Sequence, residues 1–134
     1  MPYTEDQSFQ GIQTNLKTIL IVEDEAALGE LLVETISLET PHRAILVADG
    51  SRAFDIIEHI VPDLFLLDFH LPRMNGIDLY DQLHNTKGLE QIPAILMTAG
   101  VLEHDFRRRR IVGMSKPIDL NKLLDLIEEL LAEQ

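Results

Sequence analysis

The chain contains no cysteine, which excludes disulfides, thiolate metal sites and cysteine nucleophiles together. It is also short of positive charge: 11 Lys and Arg stand against 23 Asp and Glu, for a formal net charge of -12. So acidic a surface repels nucleic acid and anionic membrane at long range, and suits a metal cation or a basic partner better. Long apolar runs are missing too, the longest falling far below the roughly 18–20 residues that span a bilayer. No basic segment leads into an apolar stretch and a small-residue cleavage site, so no secretory signal is expected. These absences fit a cytoplasmic protein that binds neither nucleic acid nor membrane directly.

What is present fits one domain. The chain has 134 residues and is 46% hydrophobic, enough for a substantial core. Residues 1–17 are polar and aperiodic and read as a flexible leader, leaving 18–134 as the folded domain. Thr18-Ile-Leu-Ile-Val-Glu23 is a short β-branched run, as expected of a strand buried on both faces. Leu28, Leu31, Leu32, Thr35 and Ile36 recur at helical spacing, and Arg43–Ala48 reads as a second strand.

Asp49-Gly50 signals a turn with Ser51 as N-cap, followed by a stripe of Phe54, Ile57, Ile60 and Val61. Asp63–Asp68 is the third strand. Ile77, Tyr80 and Leu83 make another helical face, and Ile92–Thr98 a fourth strand in which Pro93 is tolerable only near the start. Residues 101–110 suggest a short helix, and Ile111–Ser115 a fifth strand. Asp119 caps a last helix striped by Leu120, Leu123, Leu124, Ile127, Leu130 and Leu131. Successive βα units imply a three-layer α/β/α fold around a five-stranded parallel sheet.

In an open α/β sheet, ligands bind beyond the carboxyl ends of the strands. Here strand one ends at Glu23-Asp24-Glu25, strand three at Asp68, strand four at Thr98 and strand five near Lys116. Singly, each has an ordinary explanation: acids at a helix N-terminus, a turn aspartate, a β-forming threonine, a solvated lysine. Jointly, three carboxylates at one rim repel unless a cation or Lys116 compensates them. Oxygen donors, without cysteine or motif-spaced histidines, favour Mg²⁺ over zinc.

Four separated segments carry a family resemblance. Ile19-Leu-Ile-Val-Glu23-Asp24-Glu25, Asp68-Phe-His-Leu-Pro72-Arg-Met74-Asn75-Gly76, Met97-Thr98-Ala99 and Ser115-Lys116-Pro117 follow in the right order. They resemble the motifs of bacterial two-component response regulator receiver domains, the family of the chemotaxis regulator, over residues 18 to about 132. The resemblance implies the flavodoxin-like (βα)5 receiver fold and a phosphoacceptor function.

On that resemblance Asp68 is the nucleophile. Glu23, Asp24, Asp68 and the backbone carbonyl of His70 hold Mg²⁺, while Thr98, the Ala99 N–H and Lys116 meet phosphoryl oxygens. The Lys116-Pro117 peptide is expected to be cis. The phosphoryl donor would be a sensor histidine kinase or a histidine phosphotransfer protein, with a protein effector downstream. Such a domain catalyses its own phosphorylation and slow dephosphorylation rather than turning over a substrate. For His70 the ring is read as a half-exposed loop group whose backbone matters more.

Two departures concern output. Receivers commonly carry Tyr or Phe three positions before the lysine; here Gly113 stands there, leaving Met114 or Phe106 to replace it. Thr98 and Lys116 are 18 positions apart, roughly four fewer than in the family, or about one helical turn. The shortening disfavours the usual symmetric dimer and predicts a monomer or an atypical one. Arg107–Arg110 reads as a solvated helix end, the alternative being a dock for an acidic partner. Among rivals, a nucleotide-binding α/β protein would not place Glu23-Asp24-Glu25 where a phosphate loop belongs. A Mg²⁺-assisted aspartate hydrolase commonly has a second acid where this chain has His70. The stronger alternative is an interaction adaptor on the receiver fold with little phosphorylation-dependent switching.

Overall fold

Runs such as Thr18–Val22 and Leu64–Asp68 have no polar face to give to solvent, so they must be covered on both sides. A computed structural model of the chain describes residues 16–100 and 109–133. It contains β1 (Thr18–Val22), α1 (Ala26–Glu39), β2 (Arg43–Val47), α2 (Gly50–Ile57), β3 (Leu64–Asp68), α3 (Gly76–His84), β4 (Ala94–Thr98), β5 (Ile111–Ser115) and α4 (Leu120–Ala132). The strands form one parallel sheet in the order β2-β1-β3-β4-β5. This is the three-layer α/β/α architecture with the flavodoxin-like topology.

Side-chain alternation divides the core in two. Leu20, Val22, Phe65, Leu67 and Leu96 face α2 and α3, which contribute Ala53, Ile77, Tyr80 and Leu83. Ile19, Ile21, Leu66, Ile95 and Met97 face α1 and α4, which contribute Leu32, Ile36, Leu123 and Ile127. Each fully buried Leu, Ile or Phe is worth about 1.5–3 kcal/mol over exposure. Both faces are needed to offset chain entropy.

Three local expectations require correction. The N-cap of α2 is Asp49, whose Oδ1 accepts the Arg52 N–H at 2.9 Å; Ser51 lies inside the first turn because the helix begins one residue earlier. Leu31 and Val61 are exposed rather than part of apolar stripes. The buried side of α1 runs through Gly29, Leu32 and Ile36, and Val61 lies beyond the end of α2. Arg109, in the turn that leads into β5, is not simply solvated but pairs with Asp81, while Arg107 and Arg108 lie outside the described residues. The proposed helix over 101–110 and Phe106 otherwise lie outside the described residues, as does most of the leader.

The order of strands positions the site. β1 has β2 on one side and β3 on the other, so the chain's crossovers diverge there and leave a crevice beyond the carboxyl ends. The loop after β3 folds tightly across that crevice. The N–H groups of Leu71 and Gly76 both donate to the Phe69 carbonyl, at 3.2 and 2.8 Å, and Met74 donates to Pro72 at 2.8 Å. Asn75 then caps α3, its Oδ1 accepting the Asp78 N–H at 2.8 Å.

Gly76 is required by closeness. A Cβ there would lie 2.5 Å from the Asp68 carbonyl oxygen and 2.5 Å from Leu96 Cδ1. Gly29 meets only the movable end of Leu46, at 2.9 Å. Gly76→Ala should therefore cost about 2–4 kcal/mol in urea unfolding, the range of overpacking with a backbone shift. Gly29→Ala should stay within about 1 kcal/mol of wild type, because the gain in helix propensity offsets moving Leu46. Equal costs would show that backbone proximity is not what restricts Gly76.

Candidate functional site

Strand register brings the polar ends together. Val22 stands opposite Leu67, so Glu23 follows beside Asp68. Asp68 pairs with Met97, and Thr98 with Ser115, leaving Lys116 one step beyond. The lysine's own N–H donates to the Thr98 carbonyl at 2.9 Å. Four strand ends thus supply one rim.

At that rim Glu23, Asp24 and Asp68 each present a carboxylate oxygen within 4.8 Å of the others. Glu23 and Asp68 are each only 2% exposed and Thr98 4%, while Asp24 faces solvent. Lys116 Nζ lies 3.1 Å from Asp68 Oδ1 and 3.7 Å from Glu23 Oε1. The first distance is a hydrogen-bonded ion pair; the second is Coulombic only, and Glu23 Oε1 has no hydrogen-bond partner although buried. Its other oxygen accepts the Glu25 N–H at 3.0 Å. A cleft of about 590 Å³, bordered by Glu23, Asp24, Val47, Asp49 and Arg52, opens beside the cluster.

The electrostatics follow from this crowding. Burial, reinforced by the neighbouring Asp68, pushes the Glu23 carboxyl up from 4.5 to about 7, against the Glu25 N–H and Lys116. Burial opposes the charge on Lys116. The hydrogen bond and charge of Asp68, with Glu23 and Glu25 behind it, nevertheless hold its ammonium above the ordinary lysine value. A buried, unpaired carboxylate oxygen beside two more acids is a donor set for a hard divalent cation. The residues present fit such an ion.

The remaining sequence candidates fall around the cluster. The His70 N–H donates to Asp68 Oδ1 at 3.1 Å; its exposed ring stands edge-on to Phe69, with centroids 4.9 Å apart. Thr98 Oγ1 accepts the Gly100 N–H at 3.0 Å, which leaves the hydroxyl proton free to donate. Ala99 is exposed beside it, and the Lys116-Pro117 bond is cis. Gly113 sits exposed in β5 opposite Leu96, with Met114 half-buried next to it.

Sequence reasoning missed Gly100 as the group that orients Thr98; nothing in a lone glycine two residues after a strand announces it. Arg73 was missed as well. It holds a left-handed φ of 68° in the loop after Asp68, a conformation for which residue type alone gave no signal.

Comparison with known proteins agrees with the geometry. Residues 19–128 match the response regulator receiver domain family. The chain is 34% identical over 116 residues to the Regulator of RpoS of Escherichia coli K12; the match takes in 83% of this chain but only 34% of that protein's length. It is 32% identical over 124 residues to the polar-differentiation response regulator DivK of Brucella ovis, covering 87% of this chain and 98% of DivK. Among solved structures, the receiver domain of sensor histidine kinase PA1611 from Pseudomonas aeruginosa, determined with a magnesium ion coordinated in its active-site cleft, superposes with a TM-score of 0.74. That match has 24% identity and covers 87% of this chain and 98% of that one. A five-stranded parallel sheet, an acidic cluster at its β1/β3 crevice and a family match over most of its length make this chain a member of the response regulator receiver domain family.

Proposed function

We propose that this domain accepts a phosphoryl group on Asp68 from the phosphohistidine of a sensor histidine kinase or histidine phosphotransfer protein. The observation that carries the reading is the convergence of Glu23, Asp24 and Asp68 on one small volume, with a single ammonium against it. Glu23, Asp24, Asp68 and the His70 carbonyl would hold Mg²⁺, and PA1611's magnesium-bound cleft supports that choice. When bound, the ion supplies positive charge opposite the phosphoryl oxygens.

In the transfer an Asp68 carboxylate oxygen forms the bond to phosphorus. The phosphorus–nitrogen bond breaks, and its electron pair returns to the donor imidazole. Lys116, already at hydrogen-bond distance from Asp68, stays close enough to neutralise a transferred oxygen. The free hydroxyl proton of Thr98 and the Ala99 N–H would donate to others. Glu23 remains buried and holds its place through the Glu25 N–H.

A second reading, a receiver-fold adaptor with little phosphorylation-dependent switching, is favoured by Gly113, which offers no side chain to relay a change at Thr98. The two readings share the fold and differ in whether the phosphorylated state alters the surface.

Incubation with acetyl phosphate and Mg²⁺, followed by intact-mass analysis, should label the wild-type protein and leave Asp68→Asn unlabelled. Full labelling of the variant would remove Asp68 from its role. A second expectation concerns pH in chelator. Because the folded-state pKa of Glu23 is raised, the folded protein keeps a proton that the unfolded chain releases between about pH 4.5 and 7. This group's contribution to stability therefore falls as pH rises through that window, by on the order of 2–3 kcal/mol. Glu23→Gln should flatten the decline in denaturant titrations from pH 4.5 to 8, and weaken Mg²⁺ binding. An unchanged slope would show that Glu23 is not the group protonated in the folded state.

A further inference from the structure

We propose that Tyr80 and Asp81 are positioning residues: by gripping the chain where β5 begins, they fix that strand's register and so hold Lys116 against Asp68. The inference rests on the role given to Lys116 above and concerns residues at the opposite end of β5 from the site.

Among the described residues β5 is an edge strand, paired only with β4. Of its five residues only Ile111 is buried, Met114 is half-buried, and Val112, Gly113 and Ser115 are exposed. All five residues of β4 are buried. Register is normally enforced because a one-residue slip turns every core side chain to the wrong face. In β5 that enforcement is weak, and Gly113 removes the central side chain from it altogether. Yet a slip of one residue would carry Lys116 about 3.3 Å along the strand, more than a hydrogen bond to Asp68 tolerates.

Two contacts from consecutive residues of α3 supply the missing restraint. The Arg110 N–H donates to Tyr80 Oη at 3.0 Å, while the Arg110 carbonyl accepts the Ala94 N–H at 2.8 Å. Residue 110 is thereby clamped between a helix and the neighbouring strand. Tyr80 is 1% exposed and its ring stacks on His84, with centroids 4.9 Å apart, so its hydroxyl has a fixed place. Arg109 forks onto Asp81, Nε to Oδ1 at 2.8 Å and a terminal nitrogen to Oδ2 at 2.9 Å. A bidentate fork admits one orientation of the guanidinium. At the far end of β5, the Lys116 N–H meets the Thr98 carbonyl at 2.9 Å, and Nζ reaches Asp68. With its start anchored, the strand delivers Lys116, the residue just beyond its end, to a defined point.

The test uses Tyr80→Phe, Asp81→Asn and the charge exchange Asp81→Arg with Arg109→Asp, each in the full chain. Amide hydrogen exchange at Lys116 should accelerate about tenfold in the two single variants, while Ile21 in β1 and Leu66 in β3 keep their wild-type rates. Asp68 phosphorylation by acetyl phosphate should slow several-fold at Mg²⁺ concentrations that saturate each variant, so that any change in Mg²⁺ affinity from moving Lys116 is kept out of the comparison. The charge exchange should restore both readouts toward wild type. Should Tyr80→Phe fail to fold, Asp81→Asn, at a half-exposed position, tests the same grip. Unchanged exchange at Lys116, or equal acceleration across the whole sheet, would overturn the proposal. Faster exchange confined to β5 with normal phosphorylation would uphold the positioning and overturn instead the assistance assigned to Lys116.

Discussion

The ion pair between Lys116 and Asp68 is the contact around which the rest of the site is arranged. Two carboxylates are almost completely removed from water, a third stands beside them, and one ammonium faces the group. Among the described residues one ammonium faces three carboxylates, and a single positive charge cannot balance them in a medium of low effective dielectric. The excess has two outlets. Glu23 can hold a proton, as its raised pKa indicates, or a divalent cation can occupy the cluster. Either relieves the repulsion, but a protonated Glu23 still leaves one net negative charge, whereas a divalent cation brings the cluster to neutrality and so removes its repulsion of an incoming anion. Such a site costs stability when empty of counter-charge, and the apolar core on both faces of the sheet is what tolerates it.

Backbone, more than side-chain, packing sets the shape of the pocket. The turn after Asp68 is held by converging N–H groups on the Phe69 carbonyl, and Gly76 brings the start of α3 against the Asp68 carbonyl. The same segment presents the His70 N–H to the Asp68 carboxylate. A side chain at position 76 would push α3 away from β3 and disturb the aspartate through its own backbone. The site is therefore rigid on the β1 and β3 side.

The β4 and β5 side is built differently. Thr98 is buried and oriented by the Gly100 N–H, but Lys116 extends from an edge strand with little buried surface and a glycine at its centre. The cation of the pair is thus delivered by the element with the weakest side-chain restraint. Hydrogen bonds at both ends of β5 compensate, and at its start Tyr80 and Asp81 of α3 add to the one from Ala94 of β4. That helix begins at the end of the loop after Asp68 and, one turn later, grips the chain at the start of β5, so one element touches both halves of the pocket.

Much of this was legible in the residues. The apolar runs marked all five strands within a residue or two, because parallel strands buried on both faces have no polar alternation to blur them. Glu23, Asp24, Asp68, Thr98 and Lys116 stood out because each polar group follows directly on an apolar run. Helix details were less legible. Ser51 and Asp49 are both good caps, and only the starting residue of α2 decides between them; Leu31 fits a helical stripe but faces water, since the angle of α1 on the sheet selects Leu32 and Ile36. Local sequence thus determined the elements and which residues end them, through hydrophobic pattern and turn chemistry. Tertiary structure alone decided the distances: which carboxylate oxygen was left unpaired, that Arg109 turns to Asp81, and that a tyrosine hydroxyl 30 positions back receives the N–H at the start of β5. Those depend on register and helix placement, and contacts between residues so far apart leave no mark in either stretch of chain by itself.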